Sequence, residues 1–346
     1  MHRVLKHAKE IARIGPAQGD HWPALRVGLS VSVPLLVLLA VGRPELSIYA
    51  VFGGFTAMYG RRDGYRARLV HQGRAALLLT SGLALGVLLS IARAQSWILV
   101  VVESLFAVAA SLAADSMRLK PSGPFYAIFA LGACASVRTT IPFWLAVSIC
   151  AASAAFAMAV GVAGWIRNRT WAPAPERPGP AAESIRAMRV HASRYLIAVA
   201  TAGAVGVLGG AGHANWTMAA AAVPLAATDR RSRILRGVHR VVGTFAGILL
   251  AAVILSPGFD RTTLTVLLMI LLFPTELFMM RHYGLAMMFF TPAILLMSQL
   301  ASPISRHVLV ADRGLETLIG ASIGMAVAIF VREPVRKLEV DVADAG

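Results

Sequence analysis

Cysteine is nearly missing from this chain: of 346 residues only Cys134 and Cys150 are cysteines, and neither sits in a CxxC pair or beside a histidine cluster. That argues against a disulfide-stapled scaffold and against a metal site. Charge is sparse too, at 14% of residues, and acid is rarer than base, with 17 Asp and Glu against 33 Lys and Arg. The chain contains no phosphate-cradling glycine loop, no zinc spacing and no nucleophile with its base. Nucleotide-driven pumping therefore lacks its residues, no cofactor is expected, and the chain reads as not an enzyme. Residues 1–23 carry no apolar run and no cleavage signature, which predicts no removable signal peptide.

What is abundant is apolar surface. Hydrophobic residues make up 57% of the chain and the mean hydropathy is +0.69, more than a soluble fold of this size buries. Spans of 15 to 24 residues run Ala24 to Val41, Leu46 to Gly60, Gly73 to Ile91, Trp97 to Ala114, Gly123 to Val137 and Pro142 to Trp165. Six more run Arg194 to Gly210, Ala214 to Thr228, Val241 to Ser256, Thr262 to Met280, Tyr283 to Leu300 and Ala311 to Val331. The reading is an all-α integral membrane protein of about twelve transmembrane helices. The expected organisation is a basic segment at 1–23, a first six-helix unit at 24–166, a Pro-rich linker at 167–190, a second unit at 191–332 and a tail at 333–346.

The two units echo each other. Arg26, Gly42, Arg62, Arg68, Val70 and His71 recur 168 residues later as Arg194, Gly210, Arg230, Arg236, Val238 and His239. Basic residues also alternate between loops: all but seven of the 33 fall in segments on the side of the N-terminus, the exceptions being Arg26, Arg43, Arg93, Arg138, Arg261, Arg306 and Arg313. The positive-inside rule then predicts both termini in the cytoplasm. With an even number of spans per unit, the two repeats are parallel, related by an axis along the membrane normal. The net charge of +16 is thus topological, and no nucleic acid partner is implied. Membrane lipid is the expected neighbour of the arginine loops. Glycine pairs four apart, Gly82 and Gly86, Gly243 and Gly247, Gly320 and Gly324, predict close helix contacts.

Several residues are candidates for chemistry. Arg26 and Arg194, with Arg68, Arg74, Arg236 and Arg240 of the loops, would supply positive potential to an anionic solute at the mouth of the axis; lipid headgroups and topology explain the loops equally. Acids inside spans are costly and need a reason. Glu276 lies five residues before Arg281, and Asp115 three before Arg118, so each is either half of a local acid–arginine pair or a coupling or gating carboxylate. Glu103, a second coupling candidate, has no local partner, so one must come from another helix. Arg313 and Glu316, at i and i+3, can pair across one turn, as a structural pair or as part of a coupling or gating site. His71 and His239 read as interfacial capping residues or as groups titrating near neutrality, and Trp97, Trp144, Trp165, Trp216, Tyr49 and Tyr283 as interfacial anchors.

The loop from Arg230 to Arg240 running into Gly243, Thr244 and Gly247, then Thr291, Pro292 and Leu295, then Arg313, Glu316, Thr317, Gly320 and Gly324, resembles the fusaric acid resistance-like (FUSC) and aromatic acid exporter family. The six-helix unit is also similar to the membrane domain of the aluminium-activated malate transporters, which would make this chain a fused version of their dimer. The resemblance implies a multi-pass protein of the bacterial inner membrane that exports aromatic carboxylates and related small organic anions. A non-transporting membrane scaffold and a passive anion channel stay open, as does a homo-oligomer meeting at glycine-rich faces. Larger family members carry a cytoplasmic domain for which this chain has only the linker.

Overall fold

A computed structural model of the chain describes residues 14–16, 19–168, 182–210, 214–227, 230–303 and 306–331. The basic segment up to residue 13, most of the Pro-rich linker and the tail lie outside these. Twelve helices carry the fold: α1 (His21–Ala40), α2 (Ser47–Gly54), α3 (Tyr65–Ile91), α4 (Ser96–Ser116), α5 (Phe125–Ser136), α6 (Phe143–Val162), α7 (Ala182–Leu208), α8 (Ala214–Leu225), α9 (Arg230–Leu255), α10 (Arg261–Phe278), α11 (Tyr283–Ala301) and α12 (Arg306–Phe330). Helix α7 opens inside the stretch expected to be linker. Local chemistry sets several ends. The Asp260 carboxylate accepts from the amides of Thr262 and Thr263 at 3.2 and 3.3 Å to start α10, and His282 Nδ1 accepts from Leu285 N at 3.0 Å to start α11. The echoed pair Gly42 and Gly210 closes α1 and α7 at φ +72° and +69°, a left-handed turn that glycine enters without penalty.

Nine of the described helices are long and apolar enough to cross a membrane. The expected spans at 46–60, 123–137 and 214–228 instead form helices of 8, 12 and 12 residues, α2 being flanked by 3-10 turns at Pro44–Leu46 and Phe55–Met58. At 1.5 Å per residue these reach roughly 12–18 Å, about half an apolar core. Such elements survive at membrane depth only if the protein covers them. They are covered: every residue of α2 and α8 is buried, as are ten of the twelve in α5. Around them the long helices turn large apolar residues outward, among them Leu77, Val101, Leu105, Leu249, Val253 and Ile270.

Packing follows the order of elements within each half. Helix α3 lies on α5 and α6, and α9 on α11 and α12; α2 lies on α6, and α8 on α12. Across the halves, α1 packs on α10 and α7 packs on α4, the first helix of each half against the fourth of the other. The glycine pairs serve these contacts. A Cβ at Gly82 or Gly86 would meet the carbonyls of Ala127 or Leu131 of α5, and one at Gly243 or Gly247 those of Gly284 or Met288 of α11. Gly320 and Gly324 sit likewise on the Thr217 and Ala221 carbonyls of α8. At the centre the rings of Phe52, Phe55, Phe129 and Phe290 interlock at centroid distances of 5.4 to 6.3 Å, tying α2 and α5 to α11.

Candidate functional site

The start of each odd-numbered helix and the end of each even-numbered one gather at a single basic end of the bundle, where cross-links are frequent. Arg26 Nη2 donates to the Arg61 carbonyl at 2.7 Å. Arg61 in turn pairs through Nη1 with the Glu276 carboxylate, and through Nη2 with the Glu276 carbonyl at 3.1 Å. This joins the loop after α2 to α10 of the other half. The Arg281 expected beside Glu276 instead donates to the Gly15 carbonyl at 3.1 Å. Sequence reading missed Arg61 because nothing local marks it; its position between Gly60 and Arg62 in a basic loop was the only signal.

Two cavities meet at Arg61 and Arg62. The first, of about 450 Å³, is lined by Arg26, Arg61, Arg62 and Arg68, with Asp20 as its acid and Trp22 and Tyr65 as its rings. The second, of about 300 Å³, is lined by Met58, Arg61, Arg62, Asp63, Lys120, Tyr126, Glu276 and Met279, and lies where the halves face each other. Arg62, which lines both, is 62% exposed, with Asp20 at 3.6 Å. Arg68 is committed to structure, donating to the carbonyls of Gly60, Gly161 and Asp63 at 3.1, 2.7 and 2.6 Å. His71 Nδ1 meets the Asp63 carboxylate, which holds the same loop.

The other expected residues separate. Arg74 is exposed and donates to the Met117 carbonyl at 3.3 Å. Arg194, the echo of Arg26, is 1% exposed and donates from Nε and Nη2 to the Val331 carbonyl at 2.9 and 2.7 Å, away from either cavity. Asp115 pairs with His191 Nδ1 at 2.7 Å, not with Arg118 as its spacing suggested, and His191 Nε2 reaches the Leu225 carbonyl at 3.1 Å. His239 stacks on His282 at 4.7 Å. Arg236 lies over the Tyr283 ring at 4.5 Å. Trp97 and Trp144 are exposed in the manner of interfacial anchors, whereas Trp216 and Tyr49 are core residues at 3% and 2% exposure.

Three expected residues lie deep. Glu103 is fully buried, and neither carboxylate oxygen has a hydrogen-bond partner among the described residues; Gly132 of α5 and Asn215 of α8 face it, and the Asn215 amide is also unpartnered. Arg313 is fully buried over the Trp216 ring at 4.8 Å, and none of its nitrogens makes a hydrogen bond among the described residues, so the direct bond expected with Glu316 is not formed. Glu316 is buried beside it. Arg240 is 1% exposed, its Nη1 turned to Met287 Sδ at 2.9 Å. Among the described residues no group of His, Cys, Asp and Glu could hold a metal ion.

Residues 197–327 match the family described as fusaric acid resistance protein-like, a membrane family of resistance and transport type. The matched stretch contains every residue of the second half on which the resemblance rests from Gly243 to Gly324. No curated protein and no solved structure matches the chain.

Proposed function

We propose, from that match and the basic cavities, that this chain is a permease that exports small organic anions, with aromatic carboxylates as the substrate class. Its setting would be the bacterial inner membrane, with both termini cytoplasmic and the basic end of the bundle facing the cytoplasm. The two halves would be parallel repeats about an axis normal to the membrane; the reciprocal packing of α1 on α10 and α7 on α4 supports that reading.

The observation that carries the proposal is the pair of cavities sharing Arg61 and Arg62. Cavities of about 300 and 450 Å³ suit a small ligand. Four arginines against one aspartate in the larger one attract an anion and raise its local concentration. The Arg61–Glu276 pair lies on the wall of the cavity between the halves. It is the natural cytoplasmic gate: an arriving carboxylate competes with Glu276 for the guanidinium, and the contact between halves loosens as it does. Glu103, buried opposite Asn215 without a partner, is the coupling candidate, since an isolated carboxylate at that depth needs a proton or a cation.

Efflux of radiolabelled benzoate from proteoliposomes tests this, with wild type compared with Arg26→Gln/Arg62→Gln. At least a tenfold slower efflux is expected in the double variant, and salt should slow the wild type as it screens the cavity. Equal rates in both proteins would sink the proposal. Current that follows the anion gradient and ignores the proton gradient would make the protein a passive channel instead.

A further inference from the structure

The interior of the second half carries more positive charge than its neighbours answer. Arg313 is fully buried and Arg240 is 1% exposed. The guanidinium of Arg313 has no hydrogen-bond acceptor for any of its nitrogens among the described residues, and that of Arg240 leaves Nε unpartnered and spends Nη1 on a thioether, a weak acceptor. The groups acting electrostatically on Arg313 are Arg240, Glu316 and Tyr283. Among the described residues, then, Arg313 and Arg240 share the carboxylate of Glu316, two positive charges against one negative in an apolar interior. Leaving a buried ion unanswered destabilises a fold by several kcal/mol, so a site of this composition suits a single added negative charge.

The surroundings say what kind of anion. Each guanidinium lies against a ring, Arg313 over Trp216 at 4.8 Å and Arg240 over Phe125 at 5.7 Å. A carboxylate accepts two parallel N–H bonds from a guanidinium fork, and its attached ring then extends along the aromatic wall. The two positions also fall in sequence between the ends of the bundle. Phe125 precedes Tyr126, which lines the cavity between the halves at the basic end. Trp216 lines a small pocket at the opposite end with Asn215, Ser136 and Ser298. That pocket is only about 30 Å³, too small for a ring, so passage of one requires Trp216 to swing off Arg313.

We propose that Arg240 and Arg313 are successive binding positions for a monoanionic aromatic carboxylate, on a path running from the basic cavity past Phe125 to Trp216, which closes its far end. The choice of an aromatic carboxylate rests on the transport reading above. The interior site for a single anion stands on its own geometry.

The test uses the full-length chain in detergent micelles with benzoate as the probe and benzamide as its uncharged analogue. Binding is read by calorimetry and by quenching of tryptophan fluorescence. Wild type is expected to bind benzoate and not benzamide. Arg313→Gln and Arg240→Gln should each weaken benzoate binding at least tenfold, with Arg313→Lys between the two. Trp216→Phe should lose most of the quenching while calorimetric affinity stays within about threefold. Should Arg313→Gln not fold, the Lys and Phe variants carry the test. Benzoate affinity unchanged in folded Arg313→Lys and Arg240→Gln proteins, or no binding to wild type, would overturn the site. If efflux is lost in the cavity variants while benzoate binding ignores both interior arginines, transport stands and this site falls; binding through Arg313 without any efflux is the reverse result.

Discussion

Replacing Glu276 by glutamine should loosen the two halves from each other by an amount that the structure bounds. The carboxylate is 1% exposed and Arg61 is 12% exposed. Removing one partner from a fully buried ion pair destabilises by roughly 3–5 kcal/mol because a bare charge is left behind. Here the bare charge is partly looked after. Arg61 keeps its bond to the Glu276 carbonyl at 3.1 Å, and it lines two cavities that water can enter. The loss should therefore fall nearer the value for one hydrogen bond to a charged group, about 1.5–3 kcal/mol. For a chain of 346 residues that corresponds to a drop in Tm of roughly 2–4 °C. The assay is thermal unfolding of purified protein in detergent, run as a cycle with Arg61→Gln and the double variant. If the pair carries the effect, the double variant is less destabilised than the two singles added together, by about 1.5–3 kcal/mol. Additive losses, or a Glu276→Gln protein that melts with the wild type, would refute the reasoning.

Further outcomes follow from helix packing and capping. At Gly243 an added methyl meets the Gly284 carbonyl, so Gly243→Ala should cost about 1–3 kcal/mol by overpacking, whereas Gly28→Ala, with nothing within 4 Å of its new Cβ, should gain roughly 0.5–1 kcal/mol of helix stability; paired thermal melts give both signs. Hydrogen bonds from Thr263 and Thr262 hold the Asp260 carboxyl below its usual range. A depressed folded value means that the cap stabilises above the unfolded pKa and loses this as pH falls through the folded one. The melting difference between wild type and Asp260→Ala should thus be constant at neutral pH and shrink on acidification, and a difference that grew instead would exclude the cap.

Which parts of this architecture were legible in the sequence depends on whether the signal was local. Gly42 and Gly210 echo each other and do the same work, because a helix-ending turn is a property of a few consecutive residues. Glycines four apart likewise announce close approach, and each pair sits on a carbonyl of a neighbouring helix. The echo fails where the partner lies elsewhere in the chain. Arg68 is locked to three carbonyls while Arg236 lies over a tyrosine ring, and His71 meets an aspartate while His239 stacks on a histidine. Spacing suggested Arg281 for Glu276 and Arg118 for Asp115; the actual partners, Arg61 and His191, belong to the other half, and no window on one stretch of sequence contains them. Hydropathy could not separate α2, α5 and α8 from true spans, since a helix buried by protein and one buried by lipid are equally apolar. Trp216 looked like an interfacial anchor for the same reason: its place under Arg313 is set by α12, nearly a hundred residues away.

The exchange of helices between the halves, α1 on α10 and α7 on α4, bears on how the protein is made. A ribosome that has delivered the first half into the membrane has produced a bundle whose opening helix packs on α2 and α6 but still lacks α10, and whose fourth helix, carrying Glu103, waits for α7. Completion comes in two steps, α7 docking on α4 and, about fifty residues beyond the end of α7, α10 on α1. The joining of both halves in one polypeptide therefore does more than double a unit: it ensures that each missing partner arrives on the same chain, within one round of synthesis.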